Sequence, residues 1–321
     1  MNTHNLKQQP LFATFFACAL LLTLFACSKQ ATTGNTNVTP PQQPSTELTN
    51  GIGHGVNLQP SYYNGGNVNF AWSLMKAQTK IKTVRIEIEP SANINTVKSW
   101  ISAAKSNGYT VICTYHKSTV LGSDNTTELN AAASWWVSNY ANLASAGSFI
   151  VNLMNEWGSH NITANSYAAA YNTAISTVRQ VYSGTIIIDI PGWGQETATA
   201  AAAVKGQGGV KLNDTNIILS VHIYPNGWNQ GKNHTLQNID LDDLASAGRP
   251  CMVGEFGNQP AGSANWSGMV NYAKSKGWTV LGWCWNGDGG NMNMVTPSWA
   301  TNATATSFSV SSYFSTIYNL L

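Results

Sequence analysis

Charge is scarce in this chain: 16 Lys+Arg and 14 Asp+Glu in 321 residues, 9% charged in all, where ordinary domains carry about 25%. With a net charge of +2 and no block of like charges, there is no field to hold a polyanion. That excludes a nucleic-acid binder built on a basic patch. Cysteine is sparse too, five residues with no CxxC pair, so metal-ligand spacing for zinc is lacking. No GxGxxG follows any strand-like run, which removes the dinucleotide-binding fingerprint. Tryptophan is missing before residue 50, and all 12 Trp lie beyond it. The chain therefore divides into a Trp-free leader and a Trp-rich body, and 43% apolar residues supply material for a core.

In the leader, residues 11–26 form an apolar run preceded by a polar segment whose only Lys is Lys7. The run is shorter than the ~20 residues of a membrane span and reads as a secretory signal. It ends in LFAC at 24–27, similar to the bacterial lipobox, so Cys27 is the expected lipidation site and residues 1–27 a lipoprotein-type signal peptide. Residues 28–50, rich in Thr, Asn, Gln and Pro, cannot bury enough surface to offset chain entropy and are expected to be a flexible tether. Cys113, Cys251 and Cys284 remain for the body. Each lies in an apolar run and is read as a buried small side chain.

Eight short β-branched runs recur after residue 50: 52–58, 83–88, 110–116, 149–156, 185–190, 217–224, 251–256 and 279–285. Stretches with apolar residues at three- and four-residue spacing lie between them, and a last helix-like stretch falls at 305–320. Eight such units over 51–321 predict one (β/α)8 barrel, with functional groups at the C-terminal strand ends. An open doubly wound sheet is the structural rival.

The few acids can be sorted by position. Asp124, Glu128 and Asp214 fall in polar loops, and Asp240, Asp242 and Asp243 on a helix surface. What remains is Glu87, Glu89, Glu156, Asp189, Glu196, Glu255 and Asp288. A carboxylate ending an apolar strand is costly to bury without a partner or a purpose, and Glu156 in NLMNEWG and Glu255 in CMVGEFG are the sharpest cases. Period-two alternation turns Arg85, Glu87 and Glu89 inward on strand 2, His222 and Tyr224 on strand 6, Cys251, Val253 and Glu255 on strand 7, and Trp283 and Trp285 on strand 8. Cys284 would then face the helices. Glu87 and Glu89 are read as partners of the inward Arg, Asp288 as a turn residue, His54 as an interior His and Trp283 as interior filler. Trp193 and Trp228, in Gly-flanked mouth loops, are candidates for stacking on sugar rings.

Paired carboxylates, exposed aromatics and no nucleotide loop suggest glycoside hydrolysis, in which retention needs the two acids ~5–5.5 Å apart and inversion ~6.5–9.5 Å. With GVNL at strand 1, VRI at strand 2, YH at strand 3, NE at strand 4, HIY at strand 6, GEFG at strand 7 and WCWNG at strand 8, the body resembles glycoside hydrolase family 5. The resemblance implies Glu156 as acid/base and Glu255 as nucleophile. It implies Asn155 on the sugar's 2-hydroxyl, Arg85 and Tyr224 supporting Glu255, His116 and His222 lining the central subsite, and Trp285 as its stacking floor. Trp157 after the acid/base Glu resembles the bacterial β-mannanases of the family, where endoglucanases usually have Pro. The expected function is thus a retaining endo-β-1,4-mannanase on mannan, galactomannan or glucomannan, with an endo-β-1,4-glucanase as alternative and a non-catalytic glycan-binding barrel or a metal-dependent hydrolase as rivals from other classes. No cofactor and no metal are implied. The expected form is a monomer, exported and held at the bacterial envelope or surface through the lipid, or otherwise secreted.

Overall fold

Asn and Thr side chains set where the main helices begin. Asn93 accepts from the N–H groups of Asn95 and Thr96, Asn125 from Thr127, Thr163 from Ser166 and Asn265 from Gly268, satisfying donors that a helix start leaves open. The structure, a computed structural model, describes residues 51–321, so the signal, the tether and Cys27 lie outside the described residues. Strands and helices alternate: β1 (Gly55–Leu58), α1 (Trp72–Lys76), β2 (Thr83–Ile88), α2 (Ile94–Ser106), β3 (Thr110–Tyr115), α3 (Thr126–Ala144), β4 (Ile150–Asn152), α4 (Ala164–Val178), β5 (Ile186–Asp189), α5 (Thr197–Lys205), β6 (Ile217–Ile223), α6 (Asn238–Ala245), β7 (Cys251–Phe256), α7 (Trp266–Ser275), β8 (Thr279–Asn286) and α8 (Phe314–Tyr318).

All eight strands are parallel, and β1 pairs with both β2 and β8, closing the ring. This is the expected (β/α)8 barrel. Its floor is an apolar plug of Ile52, Ile112, Ile187, Ile218, Met252 and Leu281. A larger core fills the space between strands and helices, where α2 alone buries Val97, Trp100, Ile101 and Ala104. Burying a large apolar side chain stabilises by about 1.5–3 kcal/mol. Above the floor the interior turns polar, with Asn57, Arg85, Thr114, Asn152, Asp189 and Ser220 fully buried. The polar layer lies toward the C-terminal strand ends, where barrels of this kind place their chemistry.

Several expectations are corrected. On β7 it is Met252 that joins the floor, while Cys251 and Val253 pack outward, Cys251 Sγ lying 3.9 Å from the Leu244 carbonyl on α6. The ladder then slips: Val221 faces Val253 but His222 faces Glu255. This bulge passes over one residue of β7 and leads Glu255 to the inside after all. Cys284 points not at the helices but toward Asn293 Oδ1, 3.9 Å away in the loop after β8. All three described cysteines are free and buried. Asp240 is not a surface residue. It is fully buried, accepts the Gln237 N–H at 2.7 Å as half of a capping box on α6, and takes the Asn229 amide at 2.9 Å. The helix expected over 305–320 shrinks to Phe314–Tyr318, and Ser309–Val310 pairs instead with Val295–Thr296. Thr and Ser crowd that stretch, and both are weak helix formers. Among the described residues no helix is long and apolar enough to cross a membrane.

Candidate active site

The sequence carries strand 4 through to Glu156, but β4 stops at Asn152, and beyond it only single backbone bonds, from Leu153 N–H to the Ile187 carbonyl and from Asn155 N–H to the Tyr115 carbonyl, tie the chain to its neighbouring strands. Glu156 sits in the left-handed region at φ 48°, a costly conformation for a glutamate that its surroundings must impose. They do so on every side: its N–H donates to Asp189 Oδ2 at 3.1 Å, its carbonyl accepts from the Gly122 N–H at 2.8 Å, and the preceding Asn155 N–H is held by the Tyr115 carbonyl at 2.8 Å. Glu255 arrives from β7 on the far side of the ring. Oxygens of the two carboxyls and a nitrogen of His222 all lie within 4.8 Å of one another.

Arg85 lies fully buried at the centre of the polar layer. Its guanidinium donates to Asn57 Oδ1 at 2.9 Å, Glu87 Oε1 at 2.8 Å, Glu255 Oε1 at 2.9 Å, Asn152 Oδ1 at 2.8 Å, Asn155 Oδ1 at 2.5 Å and Asp189 Oδ2 at 3.4 Å. Acceptors from five strands thus share one planar donor group, a geometry only Arg supplies. Tyr224 donates to Glu255 Oε2 at 2.7 Å.

These partners divide the two acids electrostatically. Burial alone would raise the pKa of Glu255, but the charges of His222 and Arg85 and the Tyr224 hydrogen bond outweigh it and hold the carboxyl below its ordinary range. Burial raises Glu156, and the Glu255 charge adds to the rise against the hydrogen bond from His222. The His222 imidazole is driven well above its usual pKa: burial opposes its charge, yet Glu255 and Asp189 prevail. Its Nδ1 is 2.8 Å from Glu156 Oε1 and its Nε2 3.5 Å from Asp189 Oδ2. His222 Nδ1 also lies 3.6 Å from Glu255 Oε2, so Glu156, His222 and Glu255 form one charge-coupled cluster. His54 belongs elsewhere, at the opposite end of the barrel, accepting the Val280 N–H at 3.2 Å.

Glu87, buried under the site, is pushed well above the usual carboxylate range by burial, which the neighbouring Arg85 only partly offsets. It accepts from Gln59 Nε2 at 2.9 Å and lies 3.4 Å from His116 Nε2. Burial drives His116 down to about 4, so the ring is neutral near pH 7. The other ring nitrogen meets the Tyr62 hydroxyl at 2.5 Å, and that hydroxyl donates to Glu89 Oε2 at 2.6 Å. Having one proton, Tyr62 must then accept from His116 Nδ1–H. Glu89 partners Tyr62, not the inward Arg.

Three of the large side chains left exposed are aromatics at the mouth: Trp193 at 39%, Trp228 at 37% and Tyr62 at 37%. Trp193 and Trp228 line one cleft with Glu156, His160, Gln195 and Tyr224. Other residues predicted for the site are held back from it. Trp157 is fully buried, its indole N–H on the Asn125 carbonyl at 3.0 Å and its rings against Tyr167 and Tyr171, so it anchors a loop and offers no face to a ligand. Trp285 is likewise fully buried in the outer core and donates to the Phe70 carbonyl at 2.9 Å, which removes it as a stacking floor. Two residues on from Leu281 of the floor, Trp283 keeps 9% exposure and donates to Asp288 Oδ1 at 3.0 Å in the loop beyond β8. His222 is fully buried, behind Glu156 and Glu255, whose carboxyl oxygens lie 2.8 and 3.6 Å from its Nδ1. Asp189, whose inward place at the end of β5 period-two counting would have shown, joins Arg85, Glu156 and His222, and no role was expected of it.

The family model "Cellulase (glycosyl hydrolase family 5)" matches residues 65–289. The chain belongs to glycosyl hydrolase family 5. Among its relatives is a mannan endo-1,4-beta-mannosidase of Streptomyces lividans, 29% identical over 206 residues, 62% of this chain and 52% of the relative. Another, from Cellvibrio japonicus (strain Ueda107), bears the same description and is 26% identical over 205 residues, 62% of this chain and 46% of the relative. The chain thus spans about half the length of these curated relatives. The solved catalytic domain of a mannanase from Streptomyces sp. SirexAA-E superimposes with a TM-score of 0.66 at 20% identity, covering 91% of this chain and 95% of that one, and so shares its fold.

Proposed function

We propose that this family 5 protein is a retaining endo-β-1,4-mannanase. The observation that carries the mechanism is the pair of carboxyls whose oxygens lie within 4.8 Å, with pKa values pushed in opposite directions. That spacing leaves no room for a water between attacker and sugar, as inversion requires. Glu255, kept ionised by Arg85 and Tyr224, attacks the anomeric carbon while Glu156 gives its proton to the departing glycosidic oxygen. The bond between carbon and leaving oxygen breaks, and an ester to Glu255 forms. Esterification removes the negative charge that raised Glu156, whose carboxylate then takes a proton from water as the water opens the ester. His222 accepts no proton in either step. It donates to Glu156 Oε1 and thereby leaves Oε2 to carry the acid proton.

Asn155, its Oδ1 held by Arg85, can donate its amide N–H to the 2-hydroxyl, and Trp283 takes the floor role expected of Trp285. Mannan is preferred over glucan because both relatives described above carry mannan endo-1,4-beta-mannosidase as their description. The test is reducing-end release from galactomannan, glucomannan and carboxymethyl-cellulose, with Glu156→Gln and Glu255→Gln as controls and the product anomer read by NMR. Activity confined to cellulose rejects the substrate; an inverted product rejects the mechanism.

The LFAC sequence at 24–27 supports export and anchoring through a lipid on Cys27; the protein is proposed to act there as a monomer. Labelling with a palmitate analogue in a bacterial host is expected to mark the wild type and not Cys27→Ala; equal labelling of both overturns the anchor.

A further inference from the structure

Glu196 takes no part in the double displacement, yet it is 1% exposed and fully engaged. It stands just before α5, and its carboxyl ties its own loop to two others. Oε1 lies 2.6 Å from His160 Nδ1 in the loop after β4 and accepts the Gln230 N–H at 2.6 Å from the loop after β6; Oε2 accepts the Gly231 N–H at 3.0 Å. Two of these partners, His160 and Gln230, lead to the exposed indoles. The His160 ring packs on Trp193 at 5.2 Å between centroids. The Gln230 side chain accepts from Trp228 Nε1 at 2.9 Å, and Gln195, beside Glu196, accepts the Trp228 backbone N–H at 2.8 Å.

The turn bearing Trp193 needs such support. Gly192, Trp193 and Gly194 follow one another at φ 66°, 54° and 78°, and a tryptophan in that region is an outlier which only its neighbours can hold. A Cβ on Gly192 would stand 2.6 Å from Glu196 Cγ and from His160 Nδ1, so the turn lies directly against the pair.

We infer that Glu196 is a positioning residue for the leaving-group side of the cleft, one buried carboxyl fixing the two indoles that hold the sugars beyond the scissile bond. The side follows from the cleft itself, which Trp193 and Trp228 share with Glu156, the group that protonates the leaving oxygen; the inference therefore rests on the proposed mechanism. Glu196→Gln keeps the shape but replaces one acceptor with a donor facing backbone N–H groups or His160.

The test measures kcat and KM on mannohexaose and on an aryl β-mannobioside, whose leaving group has no sugar beyond the bond. For Glu196→Gln, KM on mannohexaose is expected to rise about tenfold with kcat changed by less than about twofold, and the loss in kcat/KM on the aryl glycoside to be at least about fivefold smaller. In a Trp193→Ala/Trp228→Ala background the same substitution is expected to add less than about twofold, since its effect passes through the indoles. Equal losses on both substrates, an unchanged KM, or a full multiplicative loss without the indoles would overturn the inference. Should Glu196→Gln not fold, His160→Ala severs the Trp193 arm at the rim; KM on mannohexaose is then expected to rise about threefold at unchanged Tm, and no rise overturns it. Wild type is run on cellohexaose in parallel. Cleavage of cellohexaose alone rejects mannan and transfers the Glu196 test to that substrate; cleavage of neither rejects the hydrolase reading, and this inference with it.

Discussion

Replacing Glu255 by Gln should lower the pKa of Glu156, and the size of the fall can be worked from the site. Two unit charges 4.8 Å apart, the limit on the separation of the carboxyl oxygens, interact by about 3.5 kcal/mol at an effective dielectric of about 20. That corresponds to about 2.5 pKa units. Arg85 and Tyr224 already offset part of the Glu255 charge, so a fall of about one to two units is expected. Burial of Glu156 is unchanged by the substitution, and its own contribution to the raised pKa stays in place. The assay is a carbon NMR titration of carboxyl-labelled glutamate, with the Glu156 resonance assigned by its disappearance in Glu156→Gln. The same fall is what the ester intermediate would produce, and it is what turns the acid into a base. If Glu156 titrates within about 0.3 units in wild type and Glu255→Gln, the two groups are not coupled and the switch has no electrostatic origin.

Three further outcomes are expected. The pH profile of kcat/KM should be a bell, activity being lost as pH falls through the lowered pKa of Glu255 and as it rises through the raised pKa of Glu156. In Tyr224→Phe, which removes the 2.7 Å donor to Glu255, the acid limb should move upward by about one unit; an unmoved limb would deny Tyr224 that role. Trp283→Ala should reduce kcat/KM on manno-oligosaccharides by about 30-fold or more with Tm within a few degrees, whereas Trp285→Ala should cost about 3–5 kcal/mol of stability in denaturant titration and leave the folded fraction active. The reverse pattern would return the floor to Trp285.

The barrel was legible because its signal is repetitive: eight β-branched runs at unit spacing fix strand count and order almost without regard to boundaries. Glu156 and Glu255 stood out because ionisable groups at the ends of apolar strands have few bland explanations. Alternation failed where the ladder is irregular. Counting from Cys251 placed Glu255 inward, which is where it lies, but Cys251 and Val253 face the other way and the bulge opposite His222 makes the difference. On β8 the pairing with β1 passes from Val56 and Gly282 to Leu58 and Asn286, an irregularity no local pattern reveals, and Trp285 was assigned the place of Trp283. Trp157 looked like a substrate contact because it follows the acid, whereas the left-handed backbone at Glu156 sends the two side chains to different environments. Asp240 was misplaced because a helix of acidic composition reads as solvent-facing, and a buried cap is visible only once Asn229 and Gln237 are seen around it. Tyr62 was missed because it precedes β2 in a short irregular segment with no periodicity to examine.

The guanidinium of Arg85 ties together walls contributed by β1, β2, β4, β5 and β7 while also keeping Glu255 negative. Removing it would leave the Glu255 and Asp189 carboxylates without their buried cation, a loss of at least about 3–5 kcal/mol. Architecture and reactivity consequently share a single hub, and acid tolerance or a shifted optimum would have to be sought at Tyr224 or around the rim, because the keystone itself cannot be retuned without loosening the cylinder it locks.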